Sequence, residues 1–219
     1  MLGGVLTRTL VFNLLEVSHA TLVVAADREA VDLEVEYLGG KTGIDGSRTV
    51  PPAPGGRLHV AARAAEKLPI DLTHAAFGGG YGAVRVRSVG DAQAPFAAFL
   101  GERNPHDTNP ISGAAFEGRR FALPYVKPPA SAPTQRVRVC VTNPELQPRR
   151  VDIQNVTPGG GGARVELGPL CTCLWDSESF EENVTGNGLV EVVGDGTVAV
   201  SALITRAGRD YHIYPLRLD

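Results

Sequence analysis

Apolar residues recur at every second position over short stretches of this chain, and glycine, proline or asparagine separates the stretches. In Ala83-Val84-Arg85-Val86-Arg87 the valines fall on one side and the arginines on the other. Val137, Val139 and Val141 repeat that spacing. A β-strand sends successive side chains to opposite faces, so this period predicts antiparallel sheets with one buried and one wet face. In the first half it predicts strands over Thr7–Asn13, Ala20–Ala25, Val31–Tyr37, Arg57–Ala62, Pro69–Leu72, Ala83–Ser88, Pro95–Leu100 and Arg120–Pro124. The second half offers Arg136–Thr142, Arg150–Val156, Ala163–Leu167, Leu170–Trp175, Leu189–Val193, Val198–Thr205 and Tyr211–Leu216. Gly39-Gly40, Asp45-Gly46, Gly78-Gly79-Gly80, Asn143-Pro144 and Gly194-Asp195-Gly196 supply the turns. Ala61–Leu68 consists of strong helix formers and reads equally as a helix or as extended chain.

The two halves look like copies. Gly82-Ala83-Val84-Arg85-Val86 matches Gly188-Leu189-Val190-Glu191-Val192, and Val31-Asp32-Leu33 matches Val151-Asp152-Ile153. Ala94–Leu100 is set against Thr197–Leu203, Phe121-Ala122-Leu123-Pro124 against His212-Ile213-Tyr214-Pro215, and Leu10–Asn13 against Cys140–Asn143. The order is preserved, and insertions fall in loops, where they are tolerated. Lys127-Pro128-Pro129-Ala130-Ser131-Ala132-Pro133-Thr134 reads as a stiff linker. The expected fold is therefore all-β: two tandem antiparallel β-sandwich domains, jelly-roll or immunoglobulin-like, related by internal duplication. The first would span 1–126, the linker 127–135 and the second domain 136–219.

Composition sharpens this picture. Of 219 residues only 6% are aromatic, whereas 26 are Gly and 16 Pro, which favours short strands and many turns. The net charge of −3 and the isolated basic pairs Arg119-Arg120 and Arg149-Arg150 argue against nucleic acid, which needs a local cationic surplus. No apolar run approaches the ~18–20 residues of a membrane span, and Arg8 interrupts the apolar start. A cytoplasmic location is expected on these grounds, leaving assembly into a surface or virion open. Cys140, Cys171 and Cys173 are too few for a disulfide framework and are expected as buried thiols, with a Cys140 pairing as the alternative.

In the second half Val139-Cys140-Val141-Thr142-Asn143-Pro144, a strand at Val151 and a closing strand ending in Pro215 carry a resemblance. They resemble a type of bacterial β-sandwich module of which the sensory rhodopsin transducer fold is one relative. The resemblance implies architecture, and with it a non-enzymatic and often oligomeric protein.

Candidate chemistry is sparse. The five histidines form no paired metal-ligand spacing, and neither a nucleophile elbow nor a phosphate loop is completed, so no cofactor or metal is expected. The long polar loop Gly101–Gly113 is the expected contact surface, with Arg103, His106, Asp107 and Asn109 as candidate contact residues. The leading functional expectation is a non-enzymatic structural or interaction protein, a subunit of a homo- or hetero-oligomer. Its partners would be other proteins or copies of itself, and apolar residues Val5 to Leu15 are the candidates for adding a strand to a neighbour. A small-ligand or glycan-binding module is the alternative, and a β-barrel cyclase or isomerase the third reading.

Overall fold

The computed structural model describes residues 9–14, 19–38, 40–42, 48–50, 57–63, 67–71, 82–89, 95–103, 111–112, 115–125, 136–156, 162–176, 188–206 and 209–219. Among them every regular element is a strand, and no helix occurs. Nor is any helix long and apolar enough to cross a membrane found among the described residues. Nearly all strand pairs are antiparallel, as the alternation requires.

The first half contributes β1 (Thr9–Leu14), β2 (His19–Ala26), β3 (Val31–Leu38), β4 (Gly40–Thr42), β5 (Arg48–Val50), β6 (Arg57–Ala62), β7 (Lys67–Asp71), β8 (Gly82–Val89), β9 (Phe96–Arg103) and β10 (Ile111–Ser112). Eight of these form two four-stranded sheets, ordered β1-β8-β3-β6 and β10-β9-β2-β7. Phe12, Leu33, Val35, Val84 and Val86 from the first sheet share one buried core with Leu22, Val24, Phe96 and Leu100 from the second. Each such side chain contributes roughly 1.5–3 kcal/mol through burial, which sets the register firmly because a one-residue slip would expose the whole set.

The second half adds β11 (Phe116–Tyr125), β12 (Arg136–Thr142), β13 (Arg149–Asn155), β14 (Gly162–Leu167), β15 (Thr172–Asp176), β16 (Gly188–Arg206), β17 (Arg209–Ile213) and β18 (Leu216–Arg217). With the β4–β5 hairpin they make a ten-stranded sheet organised around β16. The early part of β16 lies between β11 and β13; its later part pairs with β12 on one side and with the start of β11 and then β17 on the other. Both parts face one core, which holds Phe121, Leu123, Ile153, Val192, Val200 and Trp175. Gly194 and Gly196 stand between the two parts, next to a register shift in the facing strand β11. A Cβ on Gly194 would lie 2.8 Å from the Gly196 carbonyl oxygen, and one on Gly196 would lie 2.4 Å from Arg149 Nε. The chain crosses this point as a strand, whereas the Gly-Asp-Gly spelling predicts a turn.

Other expectations shift as well. Ala61 and Ala62 finish β6 and Lys67 and Leu68 open β7, so neither end of the helix-forming stretch is helical. The predicted Tyr211–Leu216 strand divides at Tyr214-Pro215 into β17 and β18. The short strands β4, β5 and β10 lie where turns or loop were expected. The proline-rich stretch 127–135 lies outside the described residues. The strand before it, β11, and the strand after it, β12, both pair with β16.

Candidate assembly surfaces

The outward face of β1-β8-β3 does not end in solvent. Val11, Ala83 and Leu38 alternate with inward residues on their strands, and they are buried in a third cluster with Ala115 and Ala199, against which Leu170 packs. Ala199 belongs to the outward face of β16, so the first pair of sheets is stacked on the ten-stranded sheet. At the centre of this contact sits Asn13, 3% exposed. Its Nδ2 donates to the Cys140 carbonyl at 3.1 Å and to Ser201 Oγ at 2.9 Å, while Thr142 Oγ1 donates to its Oδ1 at 2.6 Å. Thr142 in turn lies 2.9 Å from Thr172 Oγ1. A buried amide costs stability unless its groups are satisfied, and here both its nitrogen and its oxygen find partners across the contact. On the same wall Asn143 closes its own turn, accepting from Glu145 N–H and donating to the Gln147 and Gly168 carbonyls.

Beside the junction runs a charged ladder. Glu34 and Glu36 on β3 are each 6% exposed. Arg85 pairs with Glu36 and Arg87 with Glu34, and Arg57 Nη2 donates to Glu36 Oε1 at 2.9 Å. Burial pushes the Glu36 carboxyl upward, but its hydrogen bonds and attraction to Arg85 and Arg57 outweigh that and hold it below the ordinary carboxylate value. Arg85 also donates to the Pro144 carbonyl at 2.8 Å, tying the ladder to the second half. The alternation predicts Arg85 and Arg87 on the outward face, where the Arg87 side chain is 40% exposed, and there they neutralise the buried carboxylates of Glu36 and Glu34.

Two other outward faces carry exposed apolar side chains. On β9-β2-β7 a row runs Phe99, Val23, Pro69, with Phe99 43% exposed. On β18-β11-β16 the outward row includes Leu216, Ala122 and Glu191, and the next row holds Pro124 and Leu189. Leu216 is 65% exposed, Leu189 39% and neighbouring Val156 49%. Arg120 Nε donates to Glu191 Oε1 at 2.7 Å and borders this apolar surface. Opposite Phe116, Tyr214 makes an edge-on ring contact at 5.9 Å.

Of the sequence-predicted contact residues, Arg103 ends β9 opposite His19. His106, Asp107 and Asn109 lie outside the described residues, as does most of the Gly101–Gly113 loop; its ends are joined by the pairing of Ile111 with Gly101. Of the Val5 to Leu15 stretch, Thr9 to Leu14 form an edge strand paired with β8, and residues 5–8 and 15 lie outside the described residues. Cys140, Cys171 and Cys173 are buried as thiols, and Trp175 fills the second core. Among the described residues no three metal-ligating side chains converge. The outward apolar rows escaped the sequence reading, since identifying them requires knowing which strands are neighbours.

No family model, curated protein or solved structure matches this chain.

Proposed function

We propose that this chain is a non-enzymatic structural subunit of a protein assembly, built from two β-sandwich units related by duplication. The carrying observation is a repeated pairing order. Number the strands of one set β1, β2, β3, β6, β7, β8, β9, β10, and those of the other β11, β12, β13, β14, β15, early β16, late β16, β17. In both sets the first strand pairs with the sixth, the sixth with the third and the third with the fourth. In both, the eighth pairs with the seventh, the seventh with the second and the second with the fifth. This shared order supports the duplication; outside it, the start of β11 also pairs with late β16, and β4, β5 and β18 belong to neither set.

On this reading the units meet near residues 113–115, and the proline-rich segment 127–135 is a connection inside the second unit. A stacked pair of sheets with apolar outer rows at both ends is suited to contact with further protein, since exposed apolar patches on a folded domain mark interaction surfaces. Light scattering across a concentration series, with electron microscopy of the same sample, tests the proposal. The mass should rise above the 23.1 kDa of one chain. A mass fixed at that value up to high concentration would count against a self-assembling subunit.

A further inference from the structure

The repeated pairing order sets a residue-by-residue correspondence, and that correspondence identifies which surfaces the assembly reading requires. Gly82 opens β8 and Gly188 opens β16. Ala83 and Leu189, each the next residue, correspond. Val11 lies opposite the third residue after its glycine, Arg85, and Ala122 lies opposite the third after the other, Glu191. Leu38 pairs with Ala83, and Val156 donates its N–H to the Leu189 carbonyl. Ala115 donates its N–H to the Val11 carbonyl, and Leu216 pairs with Ala122. The first-unit residues of the buried junction, Val11, Leu38, Ala83 and Ala115, thus correspond to Ala122, Val156, Leu189 and Leu216. In the first unit this face is covered by the second unit. In the second unit Val156, Leu189 and Leu216 are exposed and apolar, whereas Ala122 is 5% exposed and sits opposite Glu191, which pairs with Arg120.

The opposite wall repeats in the same way. Inside the chain it consists of the rows Leu174-Cys140-Ser201 and Thr172-Thr142-Ala199. The corresponding rows of the first unit are Pro69-Val23-Phe99 and Lys67-Ala25-Ala97, and Phe99 stands out from them into solvent. Among the described residues each chain therefore uses one wall of each kind internally, and one of each kind has no such cover.

We propose that the occupant of these faces is a second copy of the chain. The outer face of the second unit, around Leu189 and Leu216, stacks on the outer face of the next copy's first unit, around Phe99 and Val23. The contact repeats the internal junction. It joins unlike surfaces, so it propagates head to tail and yields a ring or a filament rather than a two-fold dimer. Several differences temper it. Across the matched rows Ser201, Thr142 and Thr172 give way to Phe99, Ala25 and Lys67. The position of Asn13 is taken by Pro124, which has no side-chain donor for the facing carbonyl. The contact between copies is consequently weaker than the internal one and depends on concentration.

The test uses the full chain with one end blocked at a time. Leu189→Lys and Phe99→Lys each place a charge on one open face. Each alone should stay near 23.1 kDa at concentrations where the unaltered chain associates. An equimolar mixture should form dimers and nothing longer, because each variant keeps one intact face and the two intact faces are complementary. Regained association also shows both variants to be folded. Leu216→Lys, at a more exposed point on the same face, repeats the test should Leu189→Lys lower the melting temperature. If either single variant still polymerises, or the mixture yields no dimer, the head-to-tail contact is wrong while assembly itself stands. A strictly monomeric unaltered chain overturns both.

Discussion

A primary amide carries two donor hydrogens and a carbonyl acceptor, and in a buried place each must find a partner or weaken the fold. Asn13 bonds the Cys140 carbonyl, Ser201 and Thr142 at once. Asn13→Ala leaves those groups desolvated and unpaired, and should lower unfolding free energy by about 2–3 kcal/mol in a urea titration. Glu36 makes a prediction of a different kind. Its carboxyl is held below the ordinary value, so its charged form favours the folded state. That contribution is present above the ordinary carboxylate range and disappears as pH falls through the lowered folded value. Between neutral pH and pH 3, the unaltered protein should therefore lose more stability than Glu36→Gln, as read from denaturation midpoints of both. Equal losses would show that Glu36 is not a source of the acid sensitivity.

At the level of elements, β16 depends on two glycines for different reasons. The atom that a Cβ at Gly194 would meet is a backbone oxygen, which cannot move aside, whereas at Gly196 it belongs to the flexible Arg149 side chain. Gly194→Ala should consequently be the more costly, by roughly 1–3 kcal/mol for the clash, and calorimetric melting of the two variants gives the ranking. This strand also shows what the sequence disclosed and what it concealed. Val190 and Val192 alternate visibly, and so do Val198 and Val200, and both pairs were read as strands. That one strand runs through Gly194-Asp195-Gly196 was hidden, because glycines there serve tight packing and spell the same letters as a turn. Under the proposed duplication, matching Ala94–Leu100 with Thr197–Leu203 sets Phe96 on Ala199. Phe96 faces a core and Ala199 the junction, so on that reading Val198 is its counterpart. Short similar strings do not fix register to one residue; pairing partners do. The candidate surface was concealed for a related reason. Leu189, Leu216 and Phe99 are scattered in the chain, and only the strand order brings them onto two faces.

For the molecule as a whole, the assignment of β11 has the largest effect. Phe121 and Leu123 belong to the second core although they precede the proline-rich segment. Losing both from the core would cost roughly 3–6 kcal/mol, a large share of a domain's stability. The fragment 115–219 should therefore melt cooperatively, whereas 127–219, which lacks β11, should not; far-ultraviolet dichroism of the two distinguishes the outcomes. If 127–219 melts as sharply as 115–219, the unit boundary belongs at the proline-rich segment after all. The position of β16 also bears on how the protein is made. Synthesis runs from the N-terminus, so both sheets around the first core are complete before β16 exists. Until then β11 has neither of its partners β16 and β18, β12 has β15 alone and β13 has β14 alone. During that interval their apolar faces, which turn into the second core, lack the valines that β16 brings to it. Asn13, by contrast, is in place before the wall it fastens to arrives.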